Sequence, residues 1–292
     1  MKIGFLGLGK MGFPMASRLV SNGFEVIVYN RSINKSMEFS KKWKNEFVTL
    51  PKELVNKSDI LIIMVSDDDA VKNIVTGSDG IISELSSKNI VINMSTVTPL
   101  INVEMQKTFN QLRVPFLEAP VIGSVPQAEK GELVIIVGGD YEIYKRVEHV
   151  LKVLGKEHVY VGDIPRASMT KLLVNSIFLG TSAVLAEVLA ASKALGIFDA
   201  VINTTKKSRY SVLLDLFLDR FEDPNAVTRF GIDLATKDLG YASMLLNMNK
   251  LSSHMTSQTY NLFLEALTNG LRSRDYTKIY DYLVSKNSKH VQ

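Results

Sequence analysis

A Gly-x-Gly-x-x-Gly motif at residues 7–12 constrains the fold of this chain more than any other feature, because of what surrounds it. The apolar run Lys2–Gly7 is typical of a buried strand, and the pattern that follows it, Met11–Gly23, has helical spacing. A second apolar run, Glu25–Tyr29, completes a strand–helix–strand unit. In such a unit the glycines allow a tight turn and let the backbone approach a pyrophosphate at the helix N-terminus. We therefore expect a dinucleotide to bind here, the alternative being a glycine-rich turn without a ligand.

The alternation of apolar runs and helical patterns continues to about residue 161 and then stops. Further strands are predicted at 60–65, 89–93, 114–119, 133–137 and 158–161. Strands that are apolar throughout and alternate with helices indicate a parallel sheet covered on both faces. The predicted fold class is α/β: a Rossmann-type, doubly wound, mainly parallel sheet followed by a separate all-helical domain. A length of 292 residues suits two domains, which we place at 1–163 and 164–292.

Composition excludes several classes of function. The chain has no cysteine, which excludes disulfide scaffolds, thiolate zinc sites and cysteine nucleophiles. The net charge is +4, and five basic and two acidic residues from position 271 onwards supply most of it, so no broad nucleic-acid-binding face is expected. The longest uncharged stretch of the second half, between Lys171 and Glu187, has 15 residues, too few to span a bilayer. We expect a soluble, cytoplasmic protein that binds neither nucleic acid nor membrane.

The end of the second predicted strand indicates which dinucleotide binds. Proteins that bind NAD place Asp or Glu there, whereas this chain has Asn30, Arg31 and Ser32. A carboxylate would repel a 2′-phosphate, and a guanidinium can bind one through charged hydrogen bonds. Lys35 lies one turn later and can assist. The sequence therefore favours NADP, the alternative being that Arg31 is a solvated loop residue.

Lys171 is the best-placed titratable residue. It precedes Asn175 by one helical turn, so the two share a face of the predicted helix, and Phe178 continues that face. A lysine there can donate a proton to a carbonyl oxygen during hydride transfer, while Asn175 orients the same substrate. The alternative is a solvated helical lysine, which spacing alone does not exclude.

Over almost its whole length the chain resembles the β-hydroxyacid dehydrogenases, the group of 3-hydroxyisobutyrate dehydrogenase and the glyoxylate/succinic semialdehyde reductases. The matching segments occur in the family's order. They are Gly7–Ala16, Met64-Val65, Asn93–Thr96, Glu118–Ser124 with Ala128 and Gly131–Leu133, the pair Lys171 and Asn175, and Phe230 with Lys237-Asp238-Leu239.

The resemblance implies reversible hydride transfer between NADP(H) and a small β-hydroxyacid or its semialdehyde or oxo-acid, of the 3-hydroxyisobutyrate, glyoxylate or succinic semialdehyde type. Lys171 would be the catalytic acid and base. The cofactor-binding residues would be Gly7, Leu8, Gly9, Lys10, Met11, Gly12, Asn30, Arg31, Ser32, Lys35, Met64, Val65, Thr96 and Lys237. The substrate-binding residues would be Ser95, Gly123, Ser124, Asn175, Phe230 and Asp238. The helical domain would bind substrate and form a homodimer or homotetramer.

Two departures from the family pattern bear on specificity. Ile122 replaces the usual serine of the substrate loop, which removes one hydroxyl donor to a carboxylate. Pro165-Arg166-Ala167 replaces a glycine-rich segment, and Arg166 is either an additional anion binder or a solvated arginine. Imine reduction on the same fold and a non-catalytic NADP-binding scaffold are the alternatives, but the proteins of both kinds generally lack the lysine.

We expect no metal site. Asp67, Asp68 and Asp69 suit the start of a helix, where a carboxylate caps free N–H groups. The four histidines have no ligand spacing; they are His149, His158, His254 and His290.

Overall fold

The computed structural model describes residues 1–288. The chain forms two compact units, of which the first is Met1–Lys171 and the second begins at Leu172. The division falls inside one long helix, Arg166–Ala194 (α7).

The first unit is built on an eight-stranded sheet with the strand order β2-β1-β3-β4-β5-β7-β6, and β8 pairs with β7. The strands are β1 Lys2–Leu6, β2 Glu25–Tyr29, β3 Ile60–Ile63, β4 Ile90–Asn93, β5 Phe116–Glu118, β6 Val121–Ile122, β7 Val134–Gly139 and β8 Glu157–Tyr160. The α-helices are α1 Gly12–Ser21, α2 Ile33–Trp43, α3 Asp68–Thr76, α4 Pro99–Gln111, α5 Val125–Lys130 and α6 Tyr141–Leu154. Two shorter helical turns span Pro51–Lys57 and Ile81–Ser83.

The sheet is mainly parallel, as predicted. Within residues 1–288, the antiparallel pairings between strands are those of β7 with β5 and β6, and β7 is parallel to β8. Neighbouring residues of β3 face opposite sides: Ile60 and Ile62 belong to one hydrophobic cluster, Leu61 and Ile63 to the other. Both faces of the sheet are therefore buried, which is why its strands are apolar throughout.

The carboxyl ends of five strands lie side by side. Leu6 pairs in register with both Tyr29 and Ile63, Ile63 pairs with Asn93, and Asn93 pairs with Glu118. Because β1 has β2 on one side and β3 on the other, the chain leaves β1 at a topological switch point, where dinucleotides bind in folds of this class.

The second unit consists of helices around one apolar core, which confirms the predicted all-helical half of the fold. After α7 come α8 Phe198–Lys206, α9 Ser211–Glu222, α10 Ile232–Met248, α11 His254–Ala266 and α12 Ile279–Ser288. Shorter helical segments span Leu267–Leu271 and Tyr276–Lys278. Aromatic side chains fill much of the core, where Phe217 stacks on Phe221 and Phe221 on Tyr280.

The helix α7 contains a longer apolar stretch than the 15 uncharged residues between Lys171 and Glu187 indicate. The 15 uncharged residues belong to a 29-residue helix in which an 18-residue stretch has a mean hydropathy of 1.8, so the helix is long and apolar enough to cross a membrane. One third of that stretch is buried. One such helix is weak evidence for a membrane span, because core helices of soluble proteins share its length and composition.

Candidate cofactor site and active site

The glycine-rich loop has the shape that its sequence predicts. Gly7 has a φ of +109°, and a Cβ there would lie 2.2 Å from the Met64 carbonyl oxygen. A Cβ on Gly12 would lie 1.9 Å from the Gly7 carbonyl oxygen, so only glycine lets α1 begin this close to β1. Gly9 differs, because nothing lies within 4 Å of the place its Cβ would take. The open space beside Gly9, at the N-terminus of α1, fits the pyrophosphate of a dinucleotide.

Asn30 braces this loop from the end of β2. Its Oδ1 accepts a hydrogen bond of 2.9 Å from the Leu8 N–H, and its Nδ2 donates one of 3.0 Å to the Ser32 carbonyl oxygen. The side chain of Asn30 thereby couples the glycine loop to the turn that carries Arg31. A sequence signal for this role is the position of Asn30 directly after a strand, where short polar side chains hydrogen-bond nearby backbone.

Arg31 is exposed, and within residues 1–288 it forms no salt bridge. Lys35, also exposed, pairs with Glu38 at 3.2 Å. The helix α2 begins at Ile33 and has no acidic residue in its first turn. Arg31 and the N-terminus of α2 therefore form a positively polarised corner at the end of β2.

Met64, Val65 and Thr96 follow β3 and β4 at the same edge and are half-buried. The Val65 N–H donates a hydrogen bond of 2.9 Å to Ser95 Oγ. Ser95 is only 1% exposed. The Ser95 hydroxyl thus joins the two strand ends, and its contact with substrate stays a prediction.

The predicted substrate loop is tied to a residue that the sequence reasoning missed. Gly123 has a φ of +131° and is exposed. The N–H and the hydroxyl of Ser124 both donate to Oε1 of Gln127, at 3.0 and 2.7 Å, at the start of α5. Ser and Gln three residues apart form a capping box, a signal present in the sequence. Ile122, the last residue of β6, is half-buried.

Lys171 is 7% exposed, in the second turn of α7. Lysines are rarely this deeply buried unless their charge is paired. The start of α7 is held by Glu118, whose carboxylate accepts hydrogen bonds from the N–H groups of Ala167 and Ser168. Arg166, the first residue of the helix, has an exposed side chain. Nothing in the sequence predicted a separate role for Glu118.

In the second unit, Asp238 connects two of the predicted site residues. Asn175 Nδ2 donates a hydrogen bond of 2.7 Å to Asp238 Oδ2, and Lys237 Nζ lies 2.8 Å from Asp238 Oδ1. The Lys237 ammonium also lies 4.8 Å from the centre of the Tyr241 ring. Asp238 is buried, and its carboxylate is used by Asn175 and Lys237. In this arrangement Asp238 contacts two predicted site residues, and its direct contact with substrate stays a prediction.

Phe230 is half-buried just before α10, in a segment held by Asp275. The N–H groups of Arg229 and Phe230 donate to Asp275 Oδ2, and Arg220 pairs with Asp275 Oδ1 at 2.8 Å. Burial alone would raise the pKa of Asp275. The hydrogen bonds from Arg220, Thr277 and the Arg229 N–H outweigh burial, so the pKa of Asp275 lies below its ordinary value.

Two of the three consecutive aspartates have structural partners. Asp67 caps α3 by accepting from the Ala70 N–H at 2.8 Å, and Asp68 accepts from the N–H and hydroxyl of Thr98. Across residues 1–288, no three His, Asp or Glu side chains are placed to hold a metal ion. His158 contacts the Tyr144 hydroxyl, and His290 lies outside the described residues.

Two family profiles together cover most of the chain. Residues 2–162 match the NAD binding domain of 6-phosphogluconate dehydrogenase. Residues 166–283 match the family described as NAD-binding of NADP-dependent 3-hydroxyisobutyrate dehydrogenase.

Curated relatives match over nearly the full length of this chain. Glyoxylate/succinic semialdehyde reductase 2 of Arabidopsis thaliana is 28% identical, over 98% of this chain and 80% of its own. The mitochondrial 3-hydroxyisobutyrate dehydrogenase of Mus musculus is 24% identical, over 96% of this chain and 86% of its own.

Solved structures share the fold. Psf3 in complex with NADP+ and 2-OPP has a TM-score of 0.87 at 24% identity, covering 96% of this chain and 99% of that one. A Mycobacterium tuberculosis 3-hydroxyisobutyrate dehydrogenase with L-serine has a TM-score of 0.84 at 20% identity, covering 97% and 98%. An imine reductase from Myxococcus stipitatus with NADP+ has a TM-score of 0.67 at 20% identity, covering 97% and 100%.

The glycine loop, the order of the motifs and both family profiles lead to one assignment. This chain belongs to the β-hydroxyacid dehydrogenase family and is a nicotinamide-dependent oxidoreductase.

Proposed function

We propose that the protein transfers hydride reversibly between NADP(H) and a small β-hydroxyacid or its semialdehyde or oxo-acid, with Lys171 as general acid and base. The observation that carries this proposal is the burial of Lys171, 7% exposed, in the second turn of α7. A buried ammonium placed in advance stabilises the negative charge that develops on a carbonyl oxygen as it is reduced.

In the direction of reduction, Lys171 donates its proton to the carbonyl oxygen, and the substrate becomes the hydroxyacid. When bound, NADPH supplies the hydride that adds to the carbonyl carbon. In oxidation, neutral Lys171 takes the proton from the hydroxyl group. Asn175 lies four residues further along the same continuous helix and projects from the same face, so it can orient that oxygen by hydrogen bonding.

The preference for NADP rests on the end of β2. Arg31 and the N-terminus of α2 offer positive charge and free N–H groups to a 2′-phosphate, and no carboxylate lies in the first turn of the helix. The pair between Lys35 and Glu38 is exposed, so it can rearrange at little energetic cost when a phosphate binds. The matching family described as NADP-dependent 3-hydroxyisobutyrate dehydrogenase and the solved structure of Psf3 with NADP+ are consistent with this preference.

The substrate class rests on the loop at Gly123 and Ser124, which we propose binds the substrate carboxylate through N–H and hydroxyl donors. Gln127 accepts both donors of Ser124, so it has to release them when a carboxylate binds. Ile122 supplies no hydroxyl. We therefore propose weaker selection of the carboxylate than a serine at this position would give.

A panel assay tests the proposal. Oxidation of NADPH and of NADH is followed with glyoxylate, succinic semialdehyde, methylmalonate semialdehyde, other 2-oxo-acids and a cyclic imine, for the wild type and Lys171→Ala. We expect reduction of at least one aldehyde or oxo-acid with NADPH, and loss of turnover in Lys171→Ala. Reduction of the imine alone would support the imine reductase alternative. NADPH binding without any reduction would support the scaffold alternative.

We also propose that the protein forms a homodimer or homotetramer through α7. Leu173, Ile177, Val184 and Val188 form an apolar stripe, with Ile177 71% and Val184 54% exposed. At 100° per residue, the stripe lies roughly opposite Lys171 and Asn175 on the helix. Contiguous exposed apolar surface of this kind marks an interaction site.

Light scattering during size-exclusion chromatography tests this proposal, with wild type and the double variant Ile177→Glu and Val184→Glu. We expect an oligomer for the wild type and a monomer for the variant. A monomeric wild type would contradict the proposal, and binding of the wild type to lipid vesicles would indicate that α7 contacts a membrane instead.

A further inference from the structure

A row of buried polar side chains crosses the carboxyl edge of the sheet beneath the predicted cofactor and substrate loops. The Ser95 N–H donates to Asn93 Oδ1 at 3.1 Å, and Asn93 Nδ2 donates to Asn102 Oδ1 at 2.9 Å. Asn102 Nδ2 then donates to Glu118 Oε2 at 2.7 Å. Asn93, Asn102 and Glu118 are at most 1% exposed. We call these three side chains the polar row.

The polar row ends at α7. Glu118 Oε1 accepts from the Ala167 N–H at 2.6 Å, and Oε2 accepts from the Ser168 N–H at 3.2 Å. These are N–H groups at the helix start, which have no partner inside the helix. Lys171 follows Ser168 by three residues. At its other end, the row reaches Ser95, whose hydroxyl accepts from the Val65 N–H beside the glycine loop.

The directions of these hydrogen bonds require a carboxylate at position 118. Both ends of the row are backbone N–H donors, which cannot reverse. Asn93 and Asn102 each accept on the oxygen side of the amide and donate on the nitrogen side, so they only pass the direction along. A row with donors at both ends needs one member that accepts on every side, and an ionised carboxylate is that group. An amide at position 118 leaves one pair of donors facing each other, whichever way the two asparagines are turned.

The fold makes room for this carboxylate at a cost. A Cβ on Gly138, the residue of β7 that pairs with Glu118, would lie 2.7 Å from Glu118 Oε1. Burial raises the pKa of Glu118, against the hydrogen bonds from Ser168, Ala167 and Asn102. Apolar side chains at these positions would avoid the cost of burying a charge. A role in stability alone therefore does not explain the polar row.

We propose that Glu118, held by Asn102 and Asn93, is a positioning residue for Lys171: it sets the first turn of α7 relative to the strand ends that bind the cofactor. The inference rests on the proposed function of Lys171. A displacement of a catalytic group by about 1 Å can lower a rate about a hundredfold, so the first turn of α7 has to be held accurately.

The first test is the variant Glu118→Gln, which keeps the shape and removes the second acceptor. We expect kcat with glyoxylate or succinic semialdehyde, whichever the wild type reduces faster, to fall about 10- to 100-fold. The Kd for NADPH should stay within about threefold, because the glycine loop is unchanged. Amide hydrogen exchange of residues 167–171 should accelerate at least about tenfold.

Asp140→Asn is the matched control. Asp140 caps α6 by accepting from the Ile143 N–H at 3.0 Å, so its variant also weakens a helix start. We expect faster exchange at the start of α6 only, with kcat within about twofold of wild type. An equal loss of kcat in Asp140→Asn would overturn the positioning role, because any weakened helix start would then have the same effect.

A double-mutant cycle separates positioning from an independent effect. If Glu118 acts through Lys171, then Glu118→Gln should not lower the single-turnover rate further in the Lys171→Ala background. A further tenfold loss there would overturn the inference, as would unchanged kcat or unchanged exchange in Glu118→Gln alone. Wild-type turnover in Lys171→Ala would instead refute the proposed function, and the exchange data would still report whether Glu118 holds α7.

Asn102→Ala tests the same row if Glu118→Gln does not fold. It removes one donor to Glu118 and leaves the carboxylate in place. We expect the same pattern with a smaller loss, about 3- to 10-fold in kcat, and faster exchange at residues 167–171. Wild-type values of both quantities would overturn the inference.

Discussion

Asn175 and Asp238 are 63 residues apart in sequence and are joined by a hydrogen bond of 2.7 Å from the Asn175 amide to Oδ2 of the carboxylate. The other carboxylate oxygen pairs with Lys237. One buried carboxylate thus sets the direction of the Asn175 amide, because an amide that donates to Asp238 has to turn its own oxygen away from it. Asn175 lies one helical turn after the proposed proton donor, so this contact bears on substrate orientation.

Asp238→Asn should lower kcat/KM at least about tenfold, since a hydrogen bond to a charged group contributes about 1.5–3 kcal/mol. The new amide nitrogen would face either Lys237 or Asn175, donor against donor. Steady-state kinetics of Asp238→Asn, Asn175→Ala and the double variant measure the effect, and the double variant should be little worse than either single one. Asp233→Asn, on the same helix, is the control and should stay within about threefold of wild type. Fully additive losses would show that Asp238 does not act through Asn175.

Lys171→Ala should lower kcat about 10²–10⁴-fold, the usual contribution of a positioned acid, while NADPH binding is retained. Lys171→Arg should not restore turnover, because a guanidinium holds its proton near neutral pH and has a different geometry. Fluorescence titration with NADPH and single-turnover measurements separate binding from chemistry. Near wild-type turnover in Lys171→Ala would contradict the assignment.

Arg31→Asp should weaken NADPH binding at least about tenfold, because it removes a charge-assisted contact and adds repulsion toward the 2′-phosphate. The affinity for NADH, which lacks that phosphate, should change little. Isothermal titration with both cofactors measures the difference, and Arg146→Asp on α6 is the control for an equal change of charge. Equal affinities of the wild type for NADH and NADPH would refute the proposed preference.

Gly9→Ala and Gly12→Ala make the same chemical change with opposite expected results. A methyl group at position 12 would meet the Gly7 carbonyl oxygen at 1.9 Å, so the free protein should lose at least about 2 kcal/mol of stability. A methyl group at position 9 meets nothing within 4 Å, so stability should stay within about 0.5 kcal/mol. Gly9→Ala should nevertheless weaken NADPH binding at least about tenfold, because the methyl group occupies the approach to the loop. Urea unfolding measures the stability of both variants, and cofactor titration measures their affinity for NADPH. Unchanged affinity in Gly9→Ala would mean that the pyrophosphate does not lie beside Gly9.

Asp275→Asn should destabilise the protein by about 2–3 kcal/mol at neutral pH, since it leaves Arg220 and two N–H groups without a carboxylate. The pKa of Asp275 is lowered in the folded state, so its ionised form favours folding above the ordinary value of 3.8. The difference in free energy of unfolding between the wild type and Asp275→Asn should therefore be largest above about pH 5. It should shrink as the pH falls through the pKa of Asp275 in the folded state. Urea unfolding at pH 7 and in acid measures it, with exposed Asp219→Asn as the control. A stability difference that does not depend on pH would exclude this role of the charge.

Seven of the eight strands of the first unit follow, in their order, from the sequence alone. Strands such as Ile60–Ile63 are apolar on both faces, and the helices between them carry apolar residues at helical spacing, so both are local patterns. The glycine loop is also readable, because its motif stands between a strand and a helix and Gly12 answers a close approach of the Gly7 carbonyl oxygen five residues earlier. The spacing of Lys171 and Asn175 predicts only that they share a helix face, and the family resemblance is what placed them among the site residues.

Only the tertiary structure shows which other residues these site residues contact. The reversal of β7, the two-residue strand β6, the burial of Ser95 and the contact of Glu118 with Ala167, 49 residues away, have no local signature. A buried donor takes whichever acceptor the packing of distant segments brings within about 3 Å, and sequence spacing does not encode that distance. The sequence thus determined which chemical groups the protein has, and only the packing of α4, β5 and α7 decided which of them contact the start of the helix that carries Lys171.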